Sequence, residues 1–312
     1  MKKVLLVVII LLLLCLAAVY VFIPGRIDVS SSSLASCIPK NVAVALNDLG
    51  KWRQWWPDQN TKPGDLFLYK DYSYRLADRF TDGAQIELNT DQEKMTSRIV
   101  IIPFGKDSSG VEWETSFDAG LNPFKRVAQY LRGSRLKNDT HEILNSLLNF
   151  ASKTENIYGF HIERTTFTDT ILAATRFSTN VQPTTETIYE AIDKLKEKIK
   201  REGAEEKDFP MLNVMQTDSN RFETMIAICI DRLMENEGNI FSSRMVPMKD
   251  RFLKTEVTGG PSAIKSAHIA IQNYMNDRFL SAPAIPFEIL VTDRRKETDT
   301  AKWKTTIFQP SM

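Results

Sequence analysis

The sequence predicts an α+β protein with an N-terminal transmembrane helix, an antiparallel-sheet domain and a duplicated βαββ domain. Three observations lead to this prediction. Residues 4–23 are an uncharged apolar run, residues 72–117 alternate between strand-like stretches and turn-forming residues, and residues 165–310 repeat one order of strand, helix, strand and strand. The body of the chain is longer than one hydrophobic core usually serves, which favours two domains.

The apolar run from Val4 to Ile23 is long enough to cross a bilayer, because twenty helical residues rise about 30 Å. A cleaved signal peptide has a shorter apolar region that ends in small residues. This run ends in Val-Tyr-Val-Phe-Ile-Pro. These bulky residues indicate that residues 1–26 are an uncleaved anchor and not a signal peptide. Lys2 and Lys3 precede it, and positive charge stays in the cytoplasm. We therefore expect a single-pass protein of the cell (inner) membrane with an extracytoplasmic body.

Composition and motifs argue against several classes of function. The net charge is +1, from 40 basic and 39 acidic residues, and no basic stripe predicts a nucleic-acid partner. The three histidines lie far apart in sequence without a second ligand at metal spacing. Neither a Gly-x-Ser-x-Gly motif nor a phosphate-binding loop is present. The sequence therefore predicts no metal, no cofactor and no catalytic residue.

The first domain is predicted over residues 27–152. A long amphipathic helix follows a series of strands separated by turn residues, and it can cover one face of the resulting antiparallel sheet. Its glycine-serine pair at 133–134 is a candidate kink. The predicted elements are a strand at Ile27–Leu34, a helix at Pro39–Leu49, strands at Tyr72–Phe80, Ala84–Thr90, Met95–Pro103 and Val111–Phe117, and a helix at Pro123–Ser152.

Three tryptophans stand close together in this domain, at Trp52, Trp55 and Trp56. They have three interpretations. They pack under the sheet, they guard the mouth of a cavity, or they contact lipid headgroups, where tryptophan is favoured. Packing is the simplest of the three.

The second domain is predicted over residues 157–312, with repeats at about 165–232 and 248–310. Each repeat has the order βαββ, and two such units can join their sheets and leave a cleft at the axis between them. The predicted elements are Thr170–Phe177, Thr185–Arg201, Met211–Thr217 and Arg221–Ile230 in the first repeat, and Arg251–Thr258, Pro261–Leu280, Phe287–Thr292 and Lys302–Phe308 in the second.

Both halves resemble known families. Residues 27–150, with the segment Trp-Arg-Gln-Trp-Trp-Pro, resemble helix-grip, START-like (SRPBCC or polyketide cyclase-like) domains, in which a cavity lies between sheet and helix. Residues 157–310 resemble GyrI-like, effector-binding domains through Pro286-Phe287-Glu288-Ile289-Leu290-Val291-Thr292-Asp293 and the closing Thr305-Thr306-Ile307-Phe308-Gln309-Pro310. Proteins that join an anchor to these two domains are similar to uncharacterised bacterial envelope proteins.

Glu288 is the first candidate binding residue, because it is the only charge in an apolar strand and an unpaired buried carboxylate is costly. Simple alternation would instead point it to water, and the GyrI-like resemblance implies the cleft. Ligand pockets are mostly apolar with a few polar groups, so nearby aromatics are further candidates, although each has an alternative role in the core. They are Tyr158, Phe160, Phe177, Tyr189, Phe222, Tyr274 and Trp303.

The predicted function is binding of a small molecule, cationic or amphipathic, without chemistry. The START-like domain would bind an apolar ligand or act as a spacer. Two alternatives stay open. One is a hydrolase with Glu288 as general base, whose pKa burial would have to raise. The other is a scaffold with an empty cleft. A transcriptional regulator is disfavoured, because no basic recognition helix is present.

Overall fold

The computed structural model describes residues 2–58, 65–90, 93–168, 171–218, 220–246 and 249–312. The chain divides into two compact units, Met1–Lys153 and Thr154–Met312. The described residues form seven α-helices and two antiparallel sheets, which confirms the predicted α+β class. The predicted limits Thr170 and Met248 lie outside the described residues.

The chain begins with an apolar helix, α1 (Lys2–Phe22). Its residues Lys3–Phe22 are long and apolar enough to cross a membrane, and none of that stretch is buried inside the protein. Only Ile23, Pro24 and Gly25 separate α1 from the first strand. The helix is therefore joined to the first unit without a flexible linker.

The first unit contains a six-stranded sheet in the order β1-β6-β5-β4-β3-β2. The strands are β1 (Arg26–Ala35), β2 (Phe67–Tyr69), β3 (Tyr72–Phe80), β4 (Gly83–Asn89), β5 (Lys94–Pro103) and β6 (Ser109–Asp118). The helices are α2 (Pro39–Asn47), α3 (Leu49–Trp55) and α4 (Pro123–Ala151). Two short helices replace the single one predicted at Pro39–Leu49, because Asp48 is extended (φ −105°, ψ 107°) and its carboxylate accepts from the Gly50 N–H.

The long helix α4 is unbroken at Gly133, where a kink was a candidate. The glycine permits close packing instead. A Cβ at this position would lie 2.9 Å from Ile27 Cγ2 and 3.4 Å from Val29 Cγ2. Gly133 therefore allows α4 to approach β1.

The tryptophans of the first unit are core residues, as the simplest interpretation held. Trp52, Trp55 and Trp56 are all buried. Their indole N–H groups donate to the carbonyl oxygens of Leu46 (2.6 Å), Ala45 (3.0 Å) and Leu68 (2.7 Å). Rings of Phe67 and Tyr74 pack against them at centroid distances of 5.0–5.4 Å. Hydrogen-bonded indoles in a close-packed aromatic cluster are typical of a core.

The second unit contains an eight-stranded sheet in the order β11-β8-β10-β9-β13-β14-β12-β7. The strands are β7 (Glu163–Thr165), β8 (Ile171–Thr179), β9 (Met211–Asp218), β10 (Arg221–Cys229), β11 (Ile240–Arg244), β12 (Phe252–Thr258), β13 (Phe287–Leu290) and β14 (Lys304–Pro310). The helices are α5 (Thr154–Tyr158), α6 (Thr185–Arg201) and α7 (Pro261–Asp277). The order β8-α6-β9-β10 recurs as β12-α7-β13-β14, which confirms the duplicated βαββ arrangement.

The two repeats join through their third elements, β9 and β13. These strands pair with each other, and Glu288 of β13 lies opposite Leu212 of β9. Both helices lie on one face of the sheet. Ile192 of α6 packs in one cluster with Leu212 and Ile226, and Ile271 of α7 packs in another. The other face carries a separate apolar cluster of Phe167, Leu172, Ala174, Met211, Ala227, Cys229, Phe252, Phe287, Ile289 and Phe308.

Candidate functional site

The candidate site is the sheet surface between the two long helices of the second unit, which we call the groove. Helix α6 packs over β8 and β10, and α7 packs over β12 and β14. Strands β9 and β13 lie between those pairs in the sheet. Any side chain that β13 directs to the helix face therefore stands at the junction of the two repeats.

Glu288 is such a side chain, because Phe287 and Ile289 on either side of it belong to the opposite face. Its side chain is 19% exposed. Oε1 lies 3.2 Å from His268 Nε2 on α7, and Oε2 accepts from Arg294 Nη2 at 3.4 Å. The carboxylate is thus half-buried and shared between an imidazole and a guanidinium.

Arg294 is held from several directions. Its guanidinium is 11% exposed, donates to Thr305 Oγ1 at 3.0 Å and stands 4.9 Å from the centre of the Trp303 ring. Its backbone N–H donates to the Tyr189 hydroxyl at 2.9 Å, and that hydroxyl donates to the Thr292 carbonyl at 3.1 Å. Burial raises the pKa of Tyr189, so the hydroxyl keeps its proton for this bond. These contacts hold the guanidinium beside the Glu288 carboxylate.

The next residue, Arg295, ties the same loop to α6. Its guanidinium bonds both oxygens of Asp193 at 2.6 and 3.1 Å and stands 4.7 Å from the Tyr189 ring centre. The hydrogen bond from Arg295 lowers the pKa of Asp193. A bidentate pair of this geometry fixes the loop from β13 to β14 against the helix.

The structure brings together three of the candidate residues, Glu288, Tyr189 and Trp303, through their shared contacts with Arg294. Tyr189 and Trp303 are buried and already hydrogen-bonded. They support the charged groups rather than offering open aromatic faces.

The other candidate aromatics lie elsewhere. Tyr158 and Tyr274 pack together beside Arg278, whose guanidinium is 3.7 Å from the Tyr274 ring centre. Burial raises the pKa of Tyr158 to about 12. Phe160 packs with the cluster under α7. Phe177 lines a surface cleft of about 540 Å³ beside α6. Phe222, on β10, lies opposite Thr179 of β8 and Gln216 of β9.

Sequence reasoning missed His268 and Arg294. His268 follows Ala267 and lies four residues after Ile264, both on the buried face of α7, so its position beside the sheet was visible in the helical spacing. Arg294 carried no local signal, because it lies in a loop whose path is set by Tyr189 and Asp193. Within the described residues, no group of three or more His, Cys, Asp and Glu side chains could hold a metal ion.

A small apolar pocket lies on the other face of the same sheet. Its volume is about 140 Å³. The lining is almost wholly apolar. It includes the methionines Met211, Met225 and Met245, together with Phe252, Ile285 and Phe287. Flexible thioethers fill irregular gaps and adapt to different shapes, so this pocket fits a short apolar group.

The first unit has a larger cavity, of about 910 Å³, between α4 and strands β2 to β4. Its lining is polar rather than apolar, with Lys70, Tyr72, Gln129, Arg132 and Arg135 among the residues. Arg132 Nε donates to the Tyr72 hydroxyl at 2.7 Å and Nη1 bonds Glu93. Burial raises the pKa of Tyr72. This lining differs from the apolar cavity that the START-like resemblance implies.

Comparison with known proteins gives likenesses among solved structures alone. No family model and no curated protein matches the chain. The EcmrR C-terminal domain is 14% identical with a TM-score of 0.42, over 49% of this chain and 98% of that chain. EcmrR in a DNA complex is 16% identical with a TM-score of 0.44, over 60% and 70%. A hydrolase from Listeria innocua is 13% identical with a TM-score of 0.37, over 48% and 91%. None of these likenesses assigns a family or an activity to this chain.

Proposed function

We propose that this chain is a membrane-anchored protein that binds a small molecule in the groove between α6 and α7 without changing it chemically. Helix α1 is the single-pass anchor in the cell membrane, and the two units lie on the extracytoplasmic side. The observation that carries the binding proposal is the half-buried Glu288 carboxylate between His268 and Arg294. The resemblance of residues 157–310 to GyrI-like domains agrees with it.

The charges favour a cationic or amphipathic ligand. The bond from Arg294 to Glu288 is long at 3.4 Å, whereas a charge-assisted bond is usually about 2.7–2.9 Å. Arg294 keeps Thr305 and Trp303 as partners if a ligand cation takes the carboxylate. Both of these partners are neutral, so the displaced guanidinium would keep its positive charge beside the ligand. An apolar part of the ligand would lie along the helices.

A thermal-shift measurement on the full chain in lipid nanodiscs tests the proposal. The probes are benzyltrimethylammonium, a cation, and 4-phenylbutyrate, an anion of similar size. A ligand at a hundred times its Kd stabilises the folded state by about 2.7 kcal/mol. We expect the cation to raise the Tm of the wild type and not that of Glu288→Gln.

The matched control is Glu256→Gln, because Glu256 is also an ion-paired glutamate on a strand of this sheet but is 73% exposed. It should respond like the wild type. Equal shifts in all three proteins would show that the cation binds elsewhere. No shift with either probe would favour a scaffold with an empty groove.

The contact between His268 and Glu288 favours a hydrolase as the second candidate function. Glu288 would act as general base towards a water molecule, beside an imidazole 3.2 Å away. Hydrolysis of p-nitrophenyl esters by the full chain tests this function. A rate that falls at least tenfold in both Glu288→Gln and His268→Gln would support it, since one acid–base group contributes about 10²–10⁴-fold. A wild-type rate equal to that of buffer would contradict it.

A further inference from the structure

The corner between β6 and α4, residues Ala119–Lys125, exposes large apolar side chains next to the end of α1. We call these residues the β6–α4 corner. Leu121 is 89% exposed and Phe124 is 85% exposed. Val127 and Leu131 continue the same side of α4 at helical spacing and are also exposed. Exposed apolar groups that form one patch mark an interaction surface.

The corner is attached directly to the last turn of α1. The Tyr20 hydroxyl donates to the Leu121 carbonyl. Arg126 Nε donates to the Ile23 carbonyl at 2.8 Å, and its guanidinium stands 4.8 Å from the Tyr20 ring centre. The Ala119 N–H donates to the Gly25 carbonyl at 2.8 Å. These hydrogen bonds, made by residues before and after Leu121, fix the position of the corner relative to the end of α1.

These contacts determine how deep the corner would lie in a bilayer that α1 spans. Tyr20 precedes the last residue of α1, Phe22, by two positions, which is about 3 Å of helix rise. Tyrosine favours the boundary between hydrocarbon and water. If α1 spans a bilayer, then the Leu121 backbone lies at the level of that boundary. Leu121 and Phe124 would otherwise stand in water beside lipid.

The corner is also rigid. Asn122 caps α4, and its side-chain oxygen accepts from the N–H groups of Phe124 (2.9 Å) and Lys125 (3.2 Å). Gly120 has φ +80° and donates its N–H to Asp118 Oδ1 at 2.8 Å. The backbone therefore holds the two apolar side chains outward without a partner from the rest of the first unit.

The charge around the corner complements anionic lipid. The first half of α4, Pro123–Lys137, contains five basic residues and no acidic residue. Lys125, Arg135 and Lys137 are exposed. Arg126 is buried and bonds the Ile23 carbonyl, and Arg132 bonds Glu93. The acidic side chains Asp28 and Asp118 lie at this end of the sheet. Asp28 pairs with Arg26 at 3.3 Å, and Asp118 accepts from Gly120.

We propose that the β6–α4 corner docks on an anionic lipid surface beside α1, with Leu121 and Phe124 inserted at the hydrocarbon boundary and the exposed basic side chains of α4 among the headgroups. This inference rests on the proposed insertion of α1. Its consequence is that the first unit lies on the bilayer in one orientation instead of turning freely on its anchor.

Depth-dependent fluorescence quenching tests the proposal on the full chain. Phe124→Cys is labelled with an NBD fluorophore in a Cys15→Ala background, since Cys37 and Cys229 are buried. The labelled protein is inserted into phosphatidylcholine–phosphatidylglycerol vesicles that contain a lipid with a doxyl group near the headgroup. Interfacial segments reach about 5–10 Å into the boundary, so doxyl lipid should quench this label strongly.

The matched control is Phe104→Cys. Phe104 is also exposed, at 63%, but it lies in the turn between β5 and β6, at the opposite end of β6 from the corner. The ten residues of β6 place the two ends about 30 Å apart. We expect several-fold stronger quenching at position 124 than at 104. If Phe124→Cys unfolds the unit, as circular dichroism would show, Leu121→Cys replaces it.

The outcomes separate this inference from the anchor itself. A chain that fails to float with the vesicles overturns the anchor and this inference together. A chain that floats, with equal quenching at positions 104 and 124, overturns this inference alone. A label at 124 that is shielded from water, unquenched by doxyl lipid and sensitive to the protein-to-lipid ratio would show that a second copy covers the patch. Equal quenching in vesicles of phosphatidylcholine alone would overturn the requirement for anionic lipid.

Discussion

The pairing of Glu288 with Arg294 allows a quantitative test of whether burial or distance decides the strength of an ion pair in this protein. The groove pair is long, at 3.4 Å, but its side chains are only 19% and 11% exposed. A second pair, Lys254 with Glu256, is shorter, at 2.9 Å, but its side chains are 27% and 73% exposed. The perturbation is a double-mutant cycle at each pair, with every member changed to Gln.

The expected magnitudes follow from the environment. Hydrogen bonds to charged groups contribute about 1.5–3 kcal/mol net, and exposed pairs contribute about 0.2–1 kcal/mol. The long groove distance places its coupling at or just below the lower limit of the first range, at about 1–1.5 kcal/mol. Arg294→Gln should cost more than Glu288→Gln, because it also removes the contact with Trp303, which is worth roughly 0.5–1 kcal/mol. The surface pair should show a coupling of at most about 0.5 kcal/mol.

Urea unfolding of the full chain in mild detergent, followed by circular dichroism, measures the four free energies of each cycle. Linear extrapolation is valid where the slope with urea is unchanged among the variants. A coupling at Glu288 and Arg294 no larger than that at Lys254 and Glu256 would refute the reasoning. The groove would then be as solvated as the surface, and burial would no longer support Glu288 as a binding group.

Three further predictions concern stability. Gly133→Leu should lower the unfolding free energy by about 1–3 kcal/mol, because even a Cβ at this position would lie 2.9 Å from Ile27 Cγ2. Ser134→Leu, on the exposed side of α4, should change the unfolding free energy little, and urea midpoints compare the two variants. Trp52→Ala should cost about 3–5 kcal/mol, because Trp52 is fully buried, and a Tm unchanged in a thermal scan would contradict the packing described above. Burial raises the pKa of Tyr158 from 10.0 to about 12, so the contribution of its neutral hydroxyl to the stability of the fold is present below pH 10 and is lost as the pH rises towards 12. Tyr158→Phe should therefore flatten the fall in Tm between pH 10 and 12.

Regular elements with a strong local pattern were predictable from the sequence. The helix Thr185–Arg201 was predicted with the bounds that the structure has, because its apolar residues recur at helical spacing and Thr184 caps its first turn. The strand Tyr72–Phe80 was also predicted to the residue. Turn residues on both sides ended it.

The short strands Phe67–Tyr69, Glu163–Thr165 and Ile240–Arg244 were missed. Three to five residues carry too little periodicity to identify a strand, and these segments are extended because a neighbouring strand offers them hydrogen bonds. The break at Asp48 was missed for a related reason, since helical spacing continues across it and only the side-chain bond to Gly50 shows the new start.

Sequence alone determined the apolar α1, the duplicated βαββ order and the unusual position of Glu288 as the one charge in an apolar strand. Tertiary structure decided what surrounds that charge. His268 lies 20 residues before Glu288 and Arg294 lies six after it. Neither spacing brings two side chains together along an extended chain. They meet because α7 packs back over its own sheet and because Arg295 holds the following loop on α6, and such long-range packing leaves no local pattern in the sequence.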